Sequence, residues 1–247
     1  MIKATFIGHA TVDLEIEGTR IITDPVLSER VLFLRRHSPL KIRPEALHPS
    51  AILISHAHYD HLDLFSFKYF RSDVPVVLPR GLAAFLSKFI RNPLIEIDHG
   101  GSTRLGDGTE IKAFPVRHVG FRLSPFRYNN CNGYLVAKNG KTIFFPGDTA
   151  YSPSLREVAK GINLALLPIG SYEPAWFMKS RHMNPAEAVQ LFEELEAQVM
   201  IPIHWGTFNL SLEPLGAPLE WILRLQAEKN LGDRLRILKH GESTVIG

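Results

Sequence analysis

A short apolar strand that ends in a cluster of histidine and aspartate constrains the fold of this chain more than any other stretch. The segment Ile52–Asp63, "ILISHAHYDHLD", places three histidines and two aspartates after an apolar run. Residues Ala51–Ile54 are all apolar, which predicts a strand covered on both faces. The loop after such a strand lies at the carboxyl edge of a sheet, so the fold must accommodate several polar groups there.

The spacing of these polar side chains predicts metal ligands. His56 and His58 are two residues apart, so in an extended segment their side chains point the same way and can coordinate one metal ion. Asp60 and His61 are adjacent, and a turn would be needed to bring both of them to a second ion. Imidazole and carboxylate groups suit zinc, manganese or iron. The competing interpretation is a surface turn that holds several polar residues by chance.

Three later segments repeat this arrangement of an apolar strand followed by a polar turn. They are "FPVRHVG" with His118, "IFFPGDTAY" with Asp148 and "MIPIHWGTF" with His204. A lone histidine is more often a packed or surface residue than a ligand. Four strand ends that meet at one edge of packed sheets would nevertheless converge on one site, and together they favour the metal interpretation.

The hydrophobic pattern predicts many strands and a few helices, which indicates packed sheets with helices outside. The predicted strands are Lys3–Ile7, Val12–Glu17, Arg20–Thr23, Ala51–Ser55, Val74–Leu78, Leu94–Ile97, Glu110–Val116, Gly133–Ala137, Thr142–Phe145, Leu164–Pro168, Val199–Ile203 and Leu235–Leu238. The predicted helices are Leu62–Phe70, Gly81–Ile90, Ser154–Ala159, Pro185–Ala197 and Leu219–Lys229. No linker rich in Gly and Ser divides the chain, so we expect residues 1–247 to form one domain.

Composition excludes several classes of protein. No run approaches the roughly 18 apolar residues that a membrane span needs. Cys131 is the single cysteine, so an internal disulfide and a thiolate-rich metal site are both excluded, and we expect a cytoplasmic protein. The net charge of +3 is smaller than that of proteins that bind nucleic acid through an extensive basic surface, and we do not expect nucleic acid as a partner.

Basic residues concentrate in two segments. Ser28–Arg43 carries Arg30, Arg35, Arg36, Lys41 and Arg43 among apolar residues, and "RHVGFRLSPFRY" adds Arg117, Arg122 and Arg127. One interpretation is a solvated loop with a few buried aromatics. The other is a surface for phosphate groups or for peripheral contact with an anionic membrane.

Taken together, the motifs resemble those of the metallo-β-lactamase superfamily of binuclear hydrolases. The pattern His56-x-His58-x-Asp60-His61 followed by His118, Asp148 and His204 carries the resemblance. The segments that narrow it are "GHAT" (Gly8–Thr11), "TDP" (Thr23–Pro25), "PIGSYEPAWFMKSRHMNPAEAV" (Pro168–Val189), "IHWGTF" (Ile203–Phe208) and "LKHGES" (Leu238–Ser243). They are similar to the branch that contains N-acyl-phosphatidylethanolamine-hydrolysing phospholipase D. The fold implied is α/β, an αβ/βα four-layer sandwich.

The resemblance implies two divalent metal ions, with zinc favoured over manganese or iron. His56, His58 and His118 would hold the first ion, Asp60, His61 and His204 the second, and Asp148 would bridge both. It implies a phosphodiesterase of the phospholipase D type that uses a metal-bridging hydroxide and acts on a small-molecule or lipid phosphodiester. Asp60 would orient the hydroxide, and His182 or Arg122 would contact the phosphate. A lactone or carboxylic ester hydrolase with the same centre is the alternative, and a nuclease or an inactive scaffold is less consistent with the sequence.

Other residues receive lesser roles. His9 and Asp24 would each orient a ligand imidazole through its free ring nitrogen. Tyr172, Trp176 and Phe177 would line the pocket or lie in the core. Tyr59 would only separate the ligand residues on either side of it. His37, His48, His99 and His240 are interpreted as structural or surface residues.

Overall fold

Two mixed β-sheets form the centre of the molecule in a computed structural model that describes residues 1–120, 122 and 130–247. The strands are β1 (Ile2–Gly8), β2 (Thr11–Ile16), β3 (Thr19–Thr23), β4 (Arg30–Val31), β5 (Leu34–Arg35), β6 (Ala51–Leu53), β7 (Val76–Pro79), β8 (Leu94–Ile97), β9 (Ser102–Arg104), β10 (Glu110–Pro115), β11 (Asn132–Lys138), β12 (Lys141–Phe145), β13 (Leu164–Pro168), β14 (Val199–Ile203) and β15 (Ser243–Ile246). The α-helices are α1 (Ala83–Leu86), α2 (Ala175–Met178), α3 (Pro185–Glu194) and α4 (Ala217–Glu228).

The strand order brings many carboxyl ends to the same edge of each sheet. The first sheet has the order β15-β1-β2-β3-β6-β7-β8, and the second has the order β14-β13-β12-β11-β10-β9. β1 and β3 are both antiparallel to β2, and β3 is parallel to β6, so β1, β3 and β6 run in one direction. In the second sheet, β10 and β12 flank the antiparallel β11, and β12, β13 and β14 are parallel.

Strand β6 explains how the layers are built. Ala51 and Leu53 belong to the core between the sheets, whereas Ile52 belongs to a second core on the outer face of the first sheet. That outer core also contains Phe67 and Leu86, which lie on a 3₁₀ turn and on α1. The prediction of a strand covered on both faces is therefore confirmed.

Helix α3 closes the other side of the sandwich. Its Ala188, Leu191 and Phe192 are fully buried against the core that includes the second sheet. Asn184 accepts a hydrogen bond from the Glu187 backbone N–H, and the Glu187 side chain accepts one from the Asn184 N–H. Such a capping box stabilises a helix by about 1 kcal/mol. The order helix, sheet, sheet, helix confirms the predicted αβ/βα four-layer sandwich.

Several predicted elements are shorter than expected or absent. The predicted helices Leu62–Phe70 and Ser154–Ala159 are 3₁₀ turns, and Gly81–Ile90 retains only α1. The predicted strand Leu235–Leu238 is wrong, because only Leu235 makes an isolated bridge, to Met200. Short segments of this kind carry too few periodic positions to separate a helix from a tight turn. Among the described residues, no helix is both long and apolar enough to cross a bilayer.

Candidate metal centre

The loop after β6 and the loop after β10 bring three imidazoles together. His56 Nε2 lies 2.9 Å from His58 Nδ1, and His118 Nε2 lies 3.2 Å from the same His58 atom. The Asp148 carboxylate, in the loop after β12, approaches them, with Oδ2 at 3.9 Å from the Nε2 atoms of both His56 and His118. These four residues form one potential ligand group, which we call the first group.

The turn that follows His58 adds two further residues to the cluster. The Leu62 N–H donates to His58 O at 2.8 Å, and this turn presents Asp60 and His61. His61 Nε2 lies 3.2 Å from Asp148 Oδ2, and His204 Nε2 lies 3.2 Å from Asp148 Oδ1. Asp60 Oδ2 lies 3.5 Å from His61 Nε2 and 3.6 Å from His204 Nε2. We call Asp60, His61 and His204 the second group.

The spacing of these atoms fits metal coordination better than hydrogen bonding. Tetrahedral zinc ligands at 2.0–2.1 Å from the ion are separated by roughly 3.3 Å, which is close to the distances above. His61 Nε2, His204 Nε2 and Asp148 Oδ1 are buried without a hydrogen-bond partner. Buried polar atoms are almost always satisfied, so atoms without partners that converge on a common point indicate a metal-binding site.

Outer hydrogen bonds fix the direction in which the imidazoles point. His61 Nδ1 donates to Asp24 Oδ2 at 2.7 Å, and His118 Nδ1 donates to the Arg181 carbonyl at 3.0 Å. The Ser55 hydroxyl donates to Asp24 Oδ2 and lies 2.9 Å from His56 Nδ1, which is therefore the donor to it. Each bond places the proton on Nδ1 and turns the Nε2 lone pair towards the cluster, as a metal ligand requires.

Replacing Asp24 by asparagine should lower the affinity of the cluster for a divalent metal ion roughly 10–100-fold. The Ser55 N–H donates to Asp24 Oδ1 at 2.7 Å, so the amide oxygen of Asn would take that position. The amide NH₂ would then face His61 Nδ1 and force the ring proton onto Nε2, towards the metal. Metal titration against a competing chelator measures the change. Asp98→Asn, an exposed surface carboxylate, is the control, and equal affinity in both variants would contradict this role.

Charge in the cluster is balanced even without cations. Burial works against charge on His61 and His204, yet the Asp148 carboxylate raises the pKa of His204 to about 9 and that of His61 well above its usual value. Burial likewise opposes the carboxylate forms, but the neighbouring histidines hold the pKa values of Asp60 and Asp148 well below the usual range. Protons on His61 and His204 therefore offset the charge of the two carboxylates, and binding of a metal ion would release them.

His182 lies beside the cluster and is buried. Its Nδ1 is 3.7 Å from Asp148 Oδ2, and its ring centroid is 5.0 Å from that of His118. Nδ1 is buried without a hydrogen-bond partner. Burial outweighs the Asp148 carboxylate and lowers the pKa of His182 to about 4, so the ring is neutral at neutral pH.

The two residues predicted to orient a ligand imidazole have different side-chain partners. Asp24 contacts a ligand imidazole, as expected. His9 instead contacts the Asp60 carboxylate, with Nε2 at 2.8 Å from Oδ2, so the predicted imidazole partner is wrong. Both residues lie at a strand end, which is the signal the sequence offered, but their side-chain partners depend on the backbone that follows.

An open groove of about 770 Å³ is lined by Tyr59, the residue between His58 and Asp60. Leu32, Phe65 and Phe89 supply apolar lining. The Arg122 guanidinium lies 4.0 Å above the Tyr59 ring, and Nη1 donates to the Leu62 carbonyl. Tyr59 is therefore more than a spacer, because it supports a cation at the wall of this groove.

The basic segment Ser28–Arg43 is only partly a surface. Arg36 is 4% exposed, and its guanidinium donates to the carbonyls of Val26 and Ser28 and lies 5.1 Å from the Phe208 ring. The prediction of Arg36 as a surface cation is wrong, because these contacts hold it inside. Arg127 and the rest of 123–129, with 121, lie outside the described residues.

The remaining aromatic and histidine residues have varied environments. Tyr172 packs edge-on against Trp221 of α4, with centroids 5.5 Å apart. Trp176 is 86% exposed and so is not a core residue. His37, His48 and His99 are exposed and His240 is half-buried, which agrees with the prediction of structural or surface residues.

A helix–sheet–sheet–helix sandwich with a histidine and aspartate cluster at its edge defines a metal-dependent hydrolase of the metallo-β-lactamase fold. A family model described as the Beta-lactamase superfamily domain matches residues 19–205, and the chain belongs to this family.

Named relatives and a solved structure agree with this assignment. The chain is 34% identical to N-acyl-phosphatidylethanolamine-hydrolyzing phospholipase D 1 of Caenorhabditis elegans, over 84% of this chain and 64% of that protein. It therefore spans less than two thirds of that relative. A metal-dependent hydrolase of Thermococcus onnurineus is 30% identical over 98% of both chains. A metallo hydrolase from Ignicoccus hospitalis has the same fold, with a TM-score of 0.74, 20% identity and coverage of 98% and 97%.

Proposed function

We propose that this metal-dependent hydrolase is a binuclear phosphodiesterase of the phospholipase D type. The observation that carries the proposal is the position of Asp148, whose carboxylate oxygens lie within 3.9 Å of imidazoles from both ligand groups. His56, His58 and His118 would hold one divalent ion, and Asp60, His61 and His204 the other, with Asp148 shared. The donor set of imidazole and carboxylate favours zinc.

Two cations bound there would supply Lewis acidity and an activated water. The protein groups then orient the reactants. Asp60 Oδ2, held by His9 at 2.8 Å, would accept a hydrogen bond from the attacking water and align it. His182, neutral and without a partner at Nδ1, donates an N–H to a non-bridging phosphate oxygen.

The groove beside the cluster supports a substrate with an apolar portion. Leu32, Phe65 and Phe89 are apolar and exposed by 57% or more, and the lining also contains two arginines and two acidic residues, Arg30, Arg122, Glu29 and Asp63. The name of the C. elegans relative supports a lipid phosphodiester. Peripheral contact with a membrane, a cytoplasmic location and the absence of nucleic-acid binding stay predictions.

A substrate panel tests the proposed reaction. Metal-depleted protein, reconstituted with zinc, manganese or iron, is assayed on bis(4-nitrophenyl) phosphate, on N-acyl-phosphatidylethanolamine in mixed micelles, on lactones and on aryl esters. We expect metal-dependent cleavage of phosphodiesters and release of phosphatidic acid from the lipid. Turnover of lactones or esters without phosphodiester cleavage would overturn the proposal in favour of the alternative reaction.

A further inference from the structure

His9 touches two members of the second group in different ways. It lies just past the end of β1 and is 1% exposed. Its Nε2 lies 2.8 Å from Asp60 Oδ2, and its ring packs on His204 with centroids 3.9 Å apart. The His204 backbone N–H also donates to the His9 carbonyl at 2.8 Å. His9 therefore constrains both the carboxylate and the imidazole that the second ion would need.

The position of His9 is itself fixed by two residues from later segments. The His9 N–H donates to Thr207 Oγ1 at 2.7 Å, and Thr207 Oγ1 shares a hydrogen bond of 2.9 Å with His240 Nε2. The His240 ring packs on Phe6 of β1 at 5.0 Å. Gly8, whose φ is +142°, leaves space for the His240 ring, since a Cβ at position 8 would lie 2.9 Å from His240 Cδ2.

The local backbone indicates that this arrangement is imposed by the fold. His9 and His204 both have left-handed backbone conformations, with φ of +57° and +62°. Such values are uncommon for residues other than glycine, although asparagine, aspartate and histidine adopt them more often than most, and they persist where the surroundings over-determine them. Here the mutual hydrogen bond and ring contact of the two histidines supply that constraint.

We propose that His9 is a positioning residue for the second metal ion, with Thr207 and His240 as its support. Nε2–H holds Asp60 Oδ2 towards His61 and His204, and the ring limits the tilt of His204. Groups of this kind contribute roughly 10–100-fold to metal affinity. The inference rests on the proposed binuclear centre and is independent of the bond that the enzyme cleaves.

Two substitutions of His9 separate positioning from general structure. Asparagine tolerates the left-handed backbone, but its amide is too short to reach Asp60. Glutamine places an amide N–H near the position of His Nε2 and can restore the donor. We expect His9→Asn to lower the affinity for one of the two metal ions roughly 10–100-fold and to leave the affinity for the other unchanged. His9→Gln should recover most of that loss, and Thr207→Val should show part of it.

Zinc binding is measured by titration against a competing chelator, and cobalt substitution reports the geometry of each site by its absorption spectrum. Thermal unfolding checks that each variant folds, and the exposed His48→Ala is the matched control. Unchanged affinity for both ions in His9→Asn would overturn the proposal. A His9→Gln variant that unfolds at the wild-type temperature yet binds metal as weakly as His9→Asn would also overturn it. Wild-type protein that binds a single ion would instead overturn the binuclear centre.

Discussion

Alanine in place of Asp148 should reduce phosphodiester turnover by about 10³-fold or more and weaken the binding of both metal ions. Asp148 is 2% exposed, and its carboxylate lies within 3.9 Å of the Nε2 atoms of four histidines, His56, His118, His61 and His204. Loss of an outer partner alone typically costs 10–100-fold, and loss of a shared ligand should exceed this. Metal content by mass spectrometry and kcat/KM on the same samples measure both effects.

The control for Asp148→Ala removes an equally charged group from the surface. Asp73 is exposed and pairs with Arg71, and such surface pairs contribute about 0–1 kcal/mol. Asp73→Ala should therefore keep both ions and full turnover. An Asp148→Ala protein that retained two ions and wild-type kcat would show that the cluster is not the centre of the reaction.

Alanine in place of His182 should lower kcat roughly 10²–10³-fold while both ions stay bound. This range is typical when one donor to a developing negative charge is lost. Because burial lowers the pKa of His182 to about 4, the ring is neutral across the working range and donates a hydrogen bond without giving up its proton. The pH–rate profile between about pH 6 and 9 should therefore keep its shape in the variant.

Glutamine at position 182 refines this test, because its amide retains a donor. His182→Gln should recover part of the lost kcat, whereas a merely structural role would give no such recovery. Loss of a metal ion in His182→Ala would instead assign His182 as a ligand through the Nδ1 atom that faces Asp148. An unchanged kcat would exclude contact with the phosphate.

The strands of the fold could be predicted because their apolar patterns are long and regular. Leu164–Pro168 and Val199–Ile203 match the structure at both ends, since continuous apolar runs between polar turns leave little choice. The edge strands β9 and β15 were not predicted, because Ser102–Arg104 and Ser243–Ile246 are largely exposed and lack an apolar pattern. Their pairing is decided by the neighbouring strands.

Residues of the candidate site could be predicted because each follows a strand end closely. Their grouping around two points required the packed sheets, since β6, β12 and β14 belong to different parts of the chain. The burial of Arg36 could not be predicted, because Arg30 and Arg35 of the same segment are exposed and the pattern does not separate them. The contact of His9 with Asp60 was also not accessible, because residues 51 positions apart meet only after the β6 loop turns.

The sequence by itself determined the chemistry that this chain can carry: imidazoles and carboxylates after apolar strands, one cysteine and no long apolar span. It also determined the class of fold, because strand and helix patterns are local. Only the tertiary structure decided which nitrogen of each histidine faces the cluster, since the tautomer depends on acceptors such as Asp24 and the Arg181 carbonyl. It likewise decided that Asp148 faces both groups, because that requires two sheets to meet at one edge.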